Sequence, residues 1–183
     1  LPGADGDLTE QAKARGTALH LLLETLPEID DAQREELGLR LIGDVPSAPD
    51  LVAEALSVLR EPDLGQFFDR KALTEVSITA PLEAFRGAVF HGIIDRLIVS
   101  ENTVTAIDFK TNRTVPRSEA DCPEGLLRQM GAYRAMLAQI YPAKSIEMGI
   151  LWTRTCTYMP LSAGVTTQAL VRAHHLDAAD RAT

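Results

Sequence analysis

Asp95, Asp108 and Lys110 are the residues of this 183-residue chain whose types and spacing carry chemistry. They stand in two segments rich in Val and Ile, AVFHGIIDRLIV (88–99) and TVTAIDF (103–109), separated by the polar break Ser100-Glu101-Asn102. That pattern predicts a β-hairpin. If Ser100 pairs with Thr103 across a tight turn at Glu101-Asn102, Asp95 falls directly opposite Asp108, with Cβ atoms roughly 5 Å apart on one face. Lys110, two positions beyond Asp108, joins that face by the period-2 rule of a strand. A one-residue slip would scatter the set. Flanked by Ile93, Ile94, Ile107 and Phe109, these charges are costly to bury without partners. A hard divalent cation is the obvious partner, since Mg²⁺ is commonly held by one or two carboxylates plus waters and substrate phosphate. Lys110 would then orient or deprotonate a water, or neutralise charge on a scissile phosphate. An ordinary Asp–Asp–Lys cluster on the solvent face of a hairpin fits the same spacing, and the residues alone leave both readings open.

The elements around the hairpin follow from periodicity and punctuation. Residues 1–7 are rich in Gly and Asp and read as a linker or frayed end. A helix is expected from Leu8 to Leu26, with Asp7 as N-cap, Glu10 as the capping-box partner, and Pro27 as its stop. Residues 31–42 and 50–60 have helical apolar spacing, and a helical turn is expected around 63–68. Residues 74–79 (TEVSIT) alternate as a strand does. After the hairpin, 123–140 reads as one long helix with Pro123 in its first turn; 146–153 and 156–161 give two strands, and 166–179 a closing helix. Helices first, then hairpin, helix and hairpin: the class is α/β or α+β around one central mixed β-sheet with flanking helices. One domain over 1–183 is expected, mainly helical in 1–70 and sheet-containing in 71–183.

Composition bounds the function. At 45% hydrophobic and 24% charged residues the chain is a folded one. No apolar run approaches the roughly 20 residues that cross a bilayer, so a soluble chain is expected. No signal-peptide pattern opens it, and a start at Leu1 suggests a piece of a longer polypeptide. Its two cysteines, Cys122 and Cys156, form no C-x-x-C pair, so a zinc ribbon, an iron–sulfur cluster or a disulfide-stapled module lacks ligands. Twenty-six acidic against eighteen basic side chains give a net charge of −8. An isolated duplex-binding domain usually has the opposite sign. A nucleic-acid role therefore needs a local basic lip, metal ions, or a partner that delivers the strand.

The segments Gly92-Ile93-Ile94-Asp95-Arg96-Leu97 and Ile107-Asp108-Phe109-Lys110-Thr111, followed by Gln129-x-x-x-Tyr133, resemble the PD-(D/E)xK nucleases of the RecB type. Upstream, Arg15-Gly16-Thr17-Ala18-Leu19-His20 with Leu23-Glu24 matches the G-x-x-x-H signature of that group. The likeness is closest to the C-terminal nuclease domains of AddA-type helicase–nuclease subunits. It implies a restriction-endonuclease-like core and a divalent-metal-dependent DNA nuclease, an exonuclease hydrolysing phosphodiester bonds in double-strand-break repair and recombination. His20, Asp95, Asp108 and the backbone carbonyl of Phe109 would hold Mg²⁺, which Mn²⁺ could replace, and Lys110 would be the catalytic lysine. Glu75 fits the family's acidic position ahead of the hairpin. Gln129 and Tyr133, one turn apart on a helix, would support the site or contact the DNA backbone. Many relatives carry Glu where this chain has Asp108. There is no four-cysteine cluster, so no iron–sulfur centre is expected. The implied setting is the bacterial cytoplasm, with an AddB-like partner subunit. No G-x-x-x-x-G-K-[ST] occurs, so a helicase motor that feeds single-stranded DNA is expected elsewhere in the parent chain.

Other readings attach to single residues. Arg113 and Arg117, with Lys110, form the basic cluster nearest the hairpin and are candidates for phosphate contacts. Glu24 reads as solvated and His174-His175 as surface, while His91 shares the face of Asp95. The competing reading of the whole chain is a catalytically degenerate nuclease fold that serves as a DNA-binding or subunit-docking module.

Overall fold

The structure, a computed structural model, describes the backbone of residues 4–112 and 114–180, and side chains over 10–83, 85–112 and 114–173. Asp7, Arg113, His174 and His175, given roles above, fall outside the described side chains. The chain divides into two compact units. One comprises Leu1–Ala72, Phe109–Arg113 and Leu151–Thr157; the other comprises Leu73–Asp108, Thr114–Ile150 and Tyr158–Thr183.

The first unit is built on α1 (Ala4–Thr25), α2 (Asp31–Ile42) and α3 (Ala48–Arg60), with a short 3₁₀ turn at Gly65–Phe68. Leu19, Leu22, Leu23 and Leu26 recur at helical spacing on one face and are fully buried. Leu51, Ala55 and Val58 of α3 do the same and are also fully buried. The start of α2 is tied to the end of α3 by Arg60, whose Nε and Nη2 donate to the two carboxylate oxygens of Asp31 at 3.1 and 3.2 Å. That guanidinium holds the Asp31 carboxyl below its usual range.

The second unit carries the sheet, in the order β1-β2-β3-β4-β5: β1 (Leu73–Leu82), β2 (Ala88–Val99), β3 (Thr103–Lys110), β4 (Ser145–Trp152) and β5 (Thr157–Leu161). The last residues of β3 and β4 belong to the first unit. β1 and β2 run antiparallel, as do β2 and β3. β1 is longer than the TEVSIT alternation predicts and runs through Pro81, which pairs with Val89. Proline reads as a breaker in sequence, but an edge strand tolerates it because one side needs no ladder donor. α4 (Glu124–Ile140) connects β3 to β4, with Pro123 just outside it as the cap whose carbonyl accepts from the Leu126 and Leu127 amides.

α5 (Ala163–Asp180) packs on α4. Gly131 allows the approach: a Cβ there would lie 2.3 Å from the Thr166 carbonyl oxygen. Arg134 of α4 fastens the same region, donating from Nε to Thr166 Oγ1 and from Nη2 to the Leu161 carbonyl, both at 3.0 Å, and from Nη1 to the Ile146 carbonyl. Burial pulls its pKa down, with Glu147 opposing that. Arg134→Ala strips donors from three acceptors at once. We expect a loss of about 3 kcal/mol, from roughly 1–3 kcal/mol for each unsatisfied buried group, read as a lower urea midpoint with unchanged slope.

Candidate active site

The hairpin closes as its residues demand. The Ser100 amide donates to the Thr103 carbonyl at 2.8 Å across the two-residue turn. The ladder then runs from Val99↔Val104 to Arg96↔Ile107. The next position in that register sets Asp95 opposite Asp108. Alternation puts Lys110, two residues further along β3, on the Asp108 face.

The β1–β2 ladder extends the row. Thr74↔Arg96 and Val76↔Ile94 bracket Glu75, which falls opposite Asp95. Glu75 has φ +49°, in the left-handed region where a non-glycine residue carries strain of the kind found at functional positions. The carboxylate oxygens of Glu75 and Asp95 come within 4.8 Å of one another. Glu75 is exposed, Asp95 half-buried and Asp108 buried at 5% exposure. Neighbouring strands thus align three acids on one face, and like charges directly opposite repel unless a cation intervenes. Carboxylate oxygens at this spacing are the donor set a hard divalent ion takes.

In the first unit, His20 of α1 sets its imidazole edge-on to Phe109, with ring centroids 5.7 Å apart at 78°. Phe109 also stacks on Phe68 at 6.0 Å and 26°. The main chain at the end of β3 is pinned at Lys110, whose carbonyl lies 3.2 Å from the Thr153 hydroxyl. That hydroxyl donates to Glu54 Oε1 at 2.6 Å, and the other Glu54 oxygen takes Nη2 of Arg15. Nothing in the spacing of Arg15, Glu54 and Thr153 marks them as a group, although Arg15 stands inside the G-x-x-x-H segment. They are 39 and 99 residues apart along the chain, a separation that no local pattern reports.

Gln129 and Tyr133 of α4 meet through Gln129 Nε2, which donates to the Tyr133 hydroxyl at 2.9 Å. They sit over Gly92, where a Cβ would lie 2.3 Å from Tyr133 Cε1. Gly92 alternates with Ile94 and Arg96, both buried, so this pair occupies the face of β2 opposite the Asp95 side chain. Gly92→Ala is expected to cost about 1–3 kcal/mol through overpacking. The cost should fall sharply in a Tyr133→Ala background, the coupling that a double-mutant cycle of denaturation curves measures. Arg117 is exposed in the segment between β3 and α4, Glu24 is exposed on α1, and exposed His91 pairs Nδ1 with Thr79 Oγ1 at 2.9 Å.

Compared with known proteins, residues 3–182 match the PD-(D/E)XK nuclease superfamily. The chain is 25% identical over 152 residues to an ATP-dependent helicase/nuclease subunit from Oenococcus oeni, covering 75% of this chain and 13% of that protein. Among solved structures it is similar to SSO0001, with 18% identity, a TM-score of 0.35, and coverage of 80% of this chain and 69% of that one.

Proposed function

Because the chain belongs to the PD-(D/E)XK nuclease superfamily, we propose that it is the divalent-metal-dependent DNA nuclease domain of an ATP-dependent helicase–nuclease, an exonuclease acting in double-strand-break repair and recombination. The observation that carries this reading is the row of Glu75, Asp95 and Asp108 across three neighbouring strands, with Lys110 on the same face. A cluster retained only for solubility would have no cause to line up in register or to bury Asp108.

His20, Asp95, Asp108 and the carbonyl of Phe109 would hold the ion, Mg²⁺ or Mn²⁺, and Glu75 supports that set across β1. When bound, such an ion supplies a Lewis acid for the phosphate and lowers the pKa of an attacking water. The chain's own residues do the rest. Lys110, whose backbone carbonyl lies 3.2 Å from the Thr153 hydroxyl, would act from the face of the acid row, either as the neutral amine that takes a proton from the nucleophile or as the ammonium that neutralises the phosphate. Gln129 and Tyr133 brace β2 from behind at Gly92, and Arg117 contacts phosphate from the segment before α4. A motor outside these residues and an AddB-like partner would deliver the single strand. No helix among the described residues is long and apolar enough to cross a membrane.

The test is cleavage of labelled single-stranded and linear duplex DNA with Mg²⁺, with Mn²⁺ and with EDTA. Metal-dependent loss of label from one end supports the proposal; no cleavage under any condition sinks it. Within that assay, His20→Ala is expected to raise the half-saturating Mg²⁺ concentration at least about tenfold, the scale on which disturbed metal coordination acts. Glu24→Ala, one turn along α1 and exposed, should leave it unchanged. If both variants titrate alike, His20 is a packing residue for Phe109 rather than a ligand.

A further inference from the structure

A cavity of about 550 Å³ opens in the first unit beside the end of β3, lined by Gln11, Arg15, Ser47, Thr111, Asn112 and Arg154 and, in about equal measure, by apolar side chains. Its placement is chemical as well as spatial. Thr111 follows Lys110 directly, and Arg154 follows Thr153, whose hydroxyl touches the Lys110 carbonyl. Among the described residues none of those lining it is acidic, although the chain as a whole carries −8. The residues lining it carry two guanidiniums, two side-chain amides and two hydroxyls. Guanidinium is the group best matched to phosphate, offering paired donors in a fixed fork. Half-buried Glu54 holds Arg15 by one nitrogen, so that cation is pre-oriented against the cavity wall, while Arg154 is exposed and supplies adjustable charge. The volume lies within the roughly 300–1,000 Å³ typical of ligand sites.

We propose that this cavity seats the sugar–phosphate backbone of a single DNA strand, next to the scissile phosphate, with Arg154 and Arg15 as its phosphate contacts. That the bound strand runs to the scissile phosphate rests on the nuclease reading; its binding here does not. It also resolves the charge problem. An acidic domain can hold an anionic polymer where a pocket lined by cationic and neutral polar side chains lies beside Lys110, because phosphate contacts set affinity locally.

The experiment is fluorescence anisotropy of a labelled 12-residue oligothymidylate in EDTA, over a series of salt concentrations, with the parent chain, Arg154→Ala, Arg15→Lys and Arg70→Ala. Each lost phosphate contact should weaken binding several-fold and reduce the salt slope by about 0.7 for a single strand. Arg154→Ala should do both. Arg15→Lys, which keeps the charge on Glu54, should do so more mildly with an unchanged melting temperature. Arg70, largely exposed and paired with Glu28, is the control that should do neither. Parental affinity and slope in Arg154→Ala would overturn the proposal. So would displacement of the oligonucleotide by dTMP at equal concentration, which would mark a mononucleotide pocket. If the parent cleaves nothing while the Arg154 effect stands, the nuclease reading fails and the strand site survives; cleavage without an Arg154 effect is the reverse.

Discussion

Asp108→Ala is expected to reduce DNA cleavage by at least about 10³-fold, the scale on which loss of a principal charge-stabilising group acts. Asp108 is the buried member of the acid row and stands in register opposite Asp95. On the proposed reading its loss would remove a ligand and leave the remaining acids without the ion that offsets their repulsion. The same change should leave the metal-free fold intact or slightly firmer, since it relieves a like-charge contact. Thermal melting separates these effects. Mg²⁺ at about 100 times its dissociation constant stabilises a protein by roughly 2.7 kcal/mol, which for a chain of this size is a rise of roughly 5–10 °C. The parent should show that rise, and Asp108→Ala should show little of it. A variant that still cleaves at the parental rate would place the metal elsewhere.

Lys110→Ala should separate chemistry from metal binding. An ammonium is a donor and not a ligand, so the Mg²⁺-dependent rise in melting temperature is expected to stay within a degree or so of the parent. The maximal cleavage rate should nonetheless fall by about 10²–10⁴, the range typical of a lost general acid–base group. Lys110→Arg discriminates between its two possible tasks. A guanidinium keeps the charge but cannot deprotonate at accessible pH, so partial rescue points to charge neutralisation and none to proton transfer. A collapse of the Mg²⁺ response in Lys110→Ala would instead make Lys110 part of the site's framework, alongside its Thr153 contact.

Much of this protein is decided by short-range pattern. The tight turn at Glu101-Asn102 fixes the β2–β3 register because a two-residue loop permits one alignment, and that alignment brings Asp95 to Asp108 whatever surrounds them. The helices at 31–42 and 124–140 and the strand at 88–99 fall where apolar periodicity puts them, since burying one face rewards one period. Glu75 is different. It reaches Asp95 through a five-residue connection that includes Arg86 and Gly87, both with positive φ, and its own left-handed backbone belongs to no strand pattern. The Arg15–Glu54–Thr153–Lys110 chain of contacts includes one between residues 99 apart, and the cavity beside it is lined by residues as distant as Gln11 and Arg154. Tyr133 finds Gly92 only because α4 lies across β2. Periodicity reports which face of an element is buried, and it is silent on which other element buries it. Sequence alone therefore determines that Asp95, Asp108 and Lys110 share one face of the hairpin, while packing decides what braces that hairpin and which residues line the cavity beside it.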